Sequence, residues 1–271
     1  MLTKTAEKVR AWNRQRLRAR KERRKKPYIL GLLAIMKNES MNLVEWIEHY
    51  KWQGVEQFYL IDNGSTDNTL ELVQPYINEG LVKLIVLTKP WSQTEHYHTA
   101  FKRLNIKKNV DWLIMADLDE FWFSKQRGVS MRDALQEFNH IDVIYANWTM
   151  FGSSGYVQHP PSLRRCLTKR QPFLSVHQNT KWICRTSSIR TPKALAVHKI
   201  IGGRSERTVS DNHTFQLNHY PIQSIEYFEK VKMVRGDALN AQMNDIRTKE
   251  YFRCYDEPAI FTDTTLADLL E

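Results

Sequence analysis

From residue 28 onward, short apolar runs alternate with segments whose apolar residues recur every three or four positions. Tyr28–Ile35 is an apolar run of the length of a buried strand, and Leu43, Trp46, Ile47 and Tyr50 then repeat at helical spacing, with Gly54 as the stop. Val55–Ile61 predicts a second strand, Thr69–Ile77 a second helix, Leu81–Leu87 a third strand and Thr94–Leu104 a third helix. Asp111–Ala116 and Asp142–Trp148 read as further strands, and a helix after Pro221 places Ile225, Phe228 and Val231 on its core face. Repeated β-α-β units of this length predict an α/β fold: a mostly parallel central sheet flanked by helices on both faces. Ligands of such sheets bind beyond the carboxyl ends of the strands. Two acidic motifs, beginning at Asp62 and Asp117, fall at predicted strand ends.

Composition changes this picture in one place. The chain of 271 residues carries a formal charge of +10, and residues 1–26 hold twelve Lys or Arg against Glu7 and Glu22, so this segment accounts for all of it. The remainder is balanced, and Pro27 marks the boundary between a basic tail (1–26) and a single folded domain (27–271). Such a tail can sit on anionic lipid, touch RNA or aid solubility. No apolar run approaches the roughly 18–20 residues of a spanning helix, so a cytoplasmic protein is expected, at most peripheral at a membrane through the tail. Cys166, Cys184 and Cys254 are odd in number and widely spaced, which argues against a disulfide framework or a structural zinc site.

The candidate chemistry sits at the strand ends. Asp117-Leu118-Asp119 follows the apolar segment Trp112–Ala116, and alternate residues of an extended chain point the same way, so both carboxylates can face one site. Oxygen ligands of this kind suit Mg²⁺ or Mn²⁺ bound together with a diphosphate. Asp62-Asn63-Gly64-Ser65-Thr66-Asp67 is a tight turn leading into a helix N-terminus, in which Asp62 is free to accept hydrogen bonds from a base or ribose. Phe151-Gly152-Ser153-Ser154-Gly155 allows close backbone approach to a ligand. It lacks the Gly-Lys-Ser/Thr ending of a P-loop, and no G-x-G-x-x-G occurs in the chain. Any of His198, His213 and His219 could complete a metal shell, and Lys230, Lys232 and Arg235 are candidate diphosphate contacts.

Taken in order, Lys37-Asn38-Glu39, Glu45-Trp46-Ile47, Asp62–Asp67 and Asp117-Leu118-Asp119-Glu120-Phe121 resemble the family-2-like glycosyltransferases, and more narrowly the branch grouped with family 92. Trp148 with Phe151–Gly155, then Asn218-His219-Tyr220, Ser224, Glu226-Tyr227, Lys232 and Arg235-Gly236-Asp237 extend that resemblance to about residue 240. The resemblance implies a GT-A fold, a nucleotide-sugar donor (UDP-linked in many members), a divalent metal, commonly Mn²⁺, and a glycan or other hydroxyl acceptor. By position it implies that Glu39 and Asp62 hold the nucleoside, that Asp117 and Asp119 bind ribose and metal-diphosphate, and that His219 lies near the metal. It supplies no counterpart of the carboxylate base that inverting transfer requires; Asp211 and Asp237 are the candidates. Three other readings remain open: a nucleotidyltransferase, which would normally bring a Gly- and Lys-rich phosphate loop absent from Tyr28–Asn38, a protein that binds through its basic tail, and a degenerate transferase fold acting as a scaffold, against which the intact Asp117 and Asp119 argue. No nucleic-acid partner is expected of the neutral folded body.

Overall fold

A computed structural model describes residues 26–173, 179–235 and 247–271. Its eleven strands are β1 (Tyr28–Met36), β2 (Gln57–Asp62), β3 (Val82–Val86), β4 (Val110–Met115), β5 (Glu120–Ser124), β6 (Val143–Met150), β7 (Lys169–Arg170), β8 (Thr180–Arg185), β9 (Thr208–Ser210), β10 (Phe215–His219) and β11 (Phe261–Thr262). The first four form a parallel block in the order β3-β2-β1-β4, as expected from the β-α-β pattern. The sheet then continues through β8, β6, β10 and β5. β8 is antiparallel to both β4 and β6, while β6 and β10 are parallel and β5 closes the edge antiparallel to β10.

β1 shows why the sequence reads as a strand buried on both faces. Leu30, Leu32, Ala34 and Met36 join the core on one side of the sheet, and Leu33 and Ile35 join the core on the other. The first core is covered by the helix Leu43–Trp52, whose buried residues Leu43, Trp46, Ile47 and Tyr50 are those of the predicted stripe. That helix stops before Gly54, whose φ of 85° suits a residue without a Cβ. The second core is covered by the helix Gln93–Arg103 through Tyr97, Ala100 and Phe101.

The helix Leu43–Trp52 also fixes the turn between β4 and β5. The Trp46 indole N–H donates to the carbonyl oxygens of Asp117 (3.0 Å) and Glu120 (3.1 Å), and the Tyr50 hydroxyl donates to the Glu120 carbonyl (3.0 Å). The acidic turn is thereby held by buried aromatic side chains rather than left as a free loop.

Two expectations are revised. The segment after Pro221 is not a regular helix: a π-helical turn over Phe228–Lys232 interrupts it. The extra residue per turn rotates the helix face, so Ile225 is exposed and Val231 only half-buried, while Tyr227, Phe228 and Lys232 point inward. Gly152 does permit a close approach, but of this chain's own C-terminal segment: a Cβ there would lie 2.6 Å from Ala259 Cβ and 2.8 Å from Asp256 Oδ1. Asp256 also accepts from the Ser153 N–H at 2.6 Å. The central sheet is mostly parallel, as expected, with antiparallel pairings only where β8 meets β4 and β6 and where β5 meets β10. The basic tail lies outside the described residues except for Lys26. All three cysteines are free, and among the described residues no helix is long and apolar enough to cross a membrane.

Candidate functional site

A cavity of about 580 Å³ opens at the carboxyl ends of the parallel strands. Glu39, Asp117, Asp119, His219, Lys232 and Arg235 are among the sequence-predicted site residues that line it. They come from four separate parts of the chain and meet because β1, β4 and β10 end at the same level of the sheet and the π turn carries Lys232 in from above. Trp91, Trp148, His198, Arg247 and Tyr251 complete much of the wall.

Asp119 lies at the centre. Its Oδ2 is paired with the Lys232 ammonium, while its Oδ1 faces His219 Nε2 at 3.6 Å, too long for a hydrogen bond. Burial alone would raise the Asp119 carboxyl, but Lys232 and His219 outweigh it and hold the carboxyl well below the usual carboxylate range. Lys232, itself buried, is lowered by desolvation against the opposing pull of Asp119. The arrangement leaves one carboxylate oxygen and one imidazole nitrogen facing each other across a gap.

Asp117 is partnered differently. Lys181, fully buried on β8, places its ammonium 2.7 Å from Asp117 Oδ2 and 3.4 Å from Glu120 Oε1. Desolvation works to lower Lys181, and the two carboxylates more than offset it, so its pKa is raised. Glu120 is pushed up to about 8 by burial, against Lys181. Its Oε1 accepts from the Trp148 indole N–H at 2.8 Å and its Oε2 from the Asp117 N–H at 2.9 Å, which fixes the turn from below. Lys181, Glu120 and the Trp148 indole are the parts of this site that sequence reasoning did not assign. The signal for Lys181 was present as a lone lysine ahead of the apolar Trp182-Ile183-Cys184.

The remaining candidates separate by position. The Glu39 carboxylate pairs with Arg235 and accepts from Tyr227 Oη (3.3 Å) and Asn42 Nδ2 (3.3 Å). Asp62, buried at the end of β2, accepts from the N–H groups of Gly64 (3.0 Å) and Ser65 (3.2 Å), and its neighbour Asn63 rather than Asp62 lines the cavity. The turn is stitched to β1 through Asn38, whose Oδ1 accepts from the Thr66 N–H at 2.7 Å. Asp211 shapes the turn into β10, accepting from the N–H groups of His213 (2.8 Å) and Thr214 (2.7 Å), and is not among the cavity residues. Lys230 pairs with Glu226 at the surface. Asp237 lies outside the described residues.

The donor set fits a divalent cation shared with a diphosphate. Asp119 Oδ1 and His219 Nε2 would be its protein ligands, and Lys232 leaves that oxygen free. Among the described residues no cluster of three or more His, Cys, Asp or Glu is placed to hold a metal. Phosphate oxygens and water would therefore supply the rest of the shell, as in sites that bind Mg²⁺ with substrate phosphates.

The family model for Glycosyltransferase family 92 matches residues 33–251, and the chain belongs to that family. Its fold is of the α/β class that the strand–helix pattern predicts, a mostly parallel central sheet flanked by helices. A family 92 protein of Ricinus communis is 22% identical over 213 residues, covering 77% of this chain and 38% of that protein. One of Oryza sativa subsp. japonica is 22% identical over 216 residues, covering 78% and 36%. The chain thus spans less than two fifths of the length of these relatives. Among solved structures, S. aureus TarS in complex with UDP-GlcNAc gives a TM-score of 0.47 at 16% identity, covering 84% of this chain and 74% of that one. GalNAc-T7 with UDP, GalNAc and Mn²⁺ gives 0.42 at 13% identity, covering 72% and 44%.

Proposed function

We propose that the protein is a glycosyltransferase that moves a sugar from a nucleotide-sugar donor, UDP-linked, to a hydroxyl of a glycan acceptor, with a divalent cation at Asp119 and His219. The observation that carries this reading is the division of Asp119 between Lys232 and His219 at the floor of the cavity. The cavity volume falls within the range of about 300–1,000 Å³ common to small-molecule sites.

In this reading the chain's cations meet the diphosphate. Lys232, withdrawn from solvent, and Arg247 face the cavity beside Asp119, and Arg235, oriented by Glu39, adds a third positive group. Charges fixed in a site that excludes water stabilise a developing anion more than they would in bulk solvent. A bound divalent cation would supply Lewis-acid neutralisation of the departing nucleoside diphosphate. Asp117 keeps one oxygen on Lys181 and is partly open to the cavity, placed to accept from ribose hydroxyls. Glu39 and the Asp62–Asn63 strand end form the nucleoside wall.

The test is thermal unfolding with UDP, GDP and their sugar conjugates, with and without Mn²⁺. A ligand at a hundred times its dissociation constant stabilises the native state by about 2.7 kcal/mol, and each kcal/mol raises the midpoint of a domain of this size by roughly 2–4 °C. A rise of several degrees with a uridine nucleotide, larger with Mn²⁺, is the expected result. No rise with any nucleotide would overturn the donor assignment.

A further inference from the structure

Trp91 occupies the turn between β3 and the helix Gln93–Arg103 with a backbone φ of 49°. A bulky residue enters this left-handed region only against a steric cost, and such residues concentrate where structure serves a ligand. Burial does not offset that cost, because the side chain is 48% exposed. The indole nevertheless lines the cavity, beside Thr88 and Pro90 from its own loop and Asn63 from the end of β2. A strained backbone that presents a large aromatic surface to a polar cavity suggests a platform rather than a packing residue.

The sheet order says what would lie on it. Strands run β3-β2-β1-β4, and neighbouring strands are about 4.8 Å apart, so the end of β3 lies three spacings, roughly 14 Å, from the end of β4. Asp119 follows β4, and a diphosphate held near Asp119, Lys232 and His219 leaves its nucleoside to cross the ends of β1 and β2. The base then arrives at the loop after β3, a distance comparable with the span from diphosphate to base. Asn63 fits the same placement. Its Nδ2 donates to the Leu87 carbonyl at 2.6 Å, which leaves Oδ1 as the acceptor available to an N–H on the edge of a base.

We infer that Trp91 is the stacking platform for the donor nucleobase, with Asn63 beside it to read the base edge. The inference rests on the nucleotide-sugar reading of the cavity and adds the residue that holds the base. Stacking of a base on an aromatic side chain is sequence-tolerant and strong enough to be seen on single substitution. The indole therefore sets donor affinity, while Asn63 discriminates between bases.

The experiment measures equilibrium binding of UDP and of inorganic pyrophosphate, both with Mn²⁺, to the wild type, Trp91→Gly and Trp91→Phe. Trp91→Gly should weaken UDP about ten- to hundredfold and leave pyrophosphate unchanged, since pyrophosphate has no base to stack. Trp91→Phe should stay within a few-fold of wild type. The unliganded melting midpoint of Trp91→Gly should not fall, because glycine accepts the positive φ without strain. Unchanged UDP affinity in Trp91→Gly, with or without a raised KM for acceptor, would overturn the inference. So would a parallel loss of pyrophosphate binding. A wild type that binds neither probe would instead remove the donor-site reading and this inference with it.

Discussion

Asp119→Asn is expected to reduce release of nucleoside diphosphate from the sugar donor by at least about a hundred- to thousandfold, the scale on which one preorganised electrostatic contact is lost. Asparagine keeps the size of the side chain, and its amide oxygen can still accept from Lys232, so the buried ammonium is not stranded and the fold persists. The substitution removes the negative charge that faces His219 and with it the better half of the cation site. Two readouts should change together: donor turnover falls, and the additional stabilisation by Mn²⁺ in the presence of nucleotide disappears. A variant that keeps more than a tenth of wild-type turnover with Mn²⁺ would remove Asp119 from the centre of the mechanism. Asp119→Ala is the poorer test, because it leaves Lys232 buried without its counter-charge.

The largest effect on stability is expected at Lys181. This side chain is fully buried and is the ammonium partner of both Asp117 and Glu120. Removing one member of a buried ion pair costs about 3–5 kcal/mol because the remaining charge stays desolvated. For Lys181→Met this corresponds to a melting midpoint lower by roughly 6–20 °C. Burial pushes Glu120 up to about 8, so at neutral pH it is already largely protonated and the charge left without a partner is that of Asp117. The double variant Lys181→Met/Asp117→Asn should therefore recover much of the loss, and a thermodynamic cycle over the two positions should give a large coupling energy. A Lys181→Met midpoint within about 2 °C of wild type, corresponding to less than 1 kcal/mol, would contradict the pairing.

The elements read correctly from the chain are those whose burial is repetitive. β1 to β4 and the helices between them follow from apolar runs and stripes, with ends displaced by only a residue or two. The acidic turn after β4 was legible for the same reason: a run that must be buried forces the polar residues behind it to the sheet end. β5, β8 and β10 were not legible because each carries polar or charged residues inside the sheet, Glu120, Lys181 and Asn218 among them. Those residues are tolerated only because their partners come from far along the chain; Lys181 and Asp117 are 64 positions apart. The inward turn of Lys232 depends on a π turn that no apolar period announces.

Small motifs were more ambiguous than strands. Gly152 marks a close approach, as glycine often does, yet the approaching group is Asp256 and Ala259 rather than a ligand. Asp62 sits at a strand end with its carboxylate turned to its own loop amides, and Asn63 takes the place on the cavity wall. Both residue types are used for turns as readily as for ligands, and only the partners decide between the two.

The central claim is that the cavity above β1–β4 is the donor site, with its phosphate end at Asp119. A crystal of the protein grown with UDP and Mn²⁺, with anomalous differences collected for manganese, tests this most directly. The expected result is a manganese peak between Asp119 and His219, the diphosphate beside Lys232, and the uracil at Asn63 and Trp91. Nucleotide bound outside this cavity, or well-ordered nucleotide within it whose phosphates lie away from Asp119, would contradict the account.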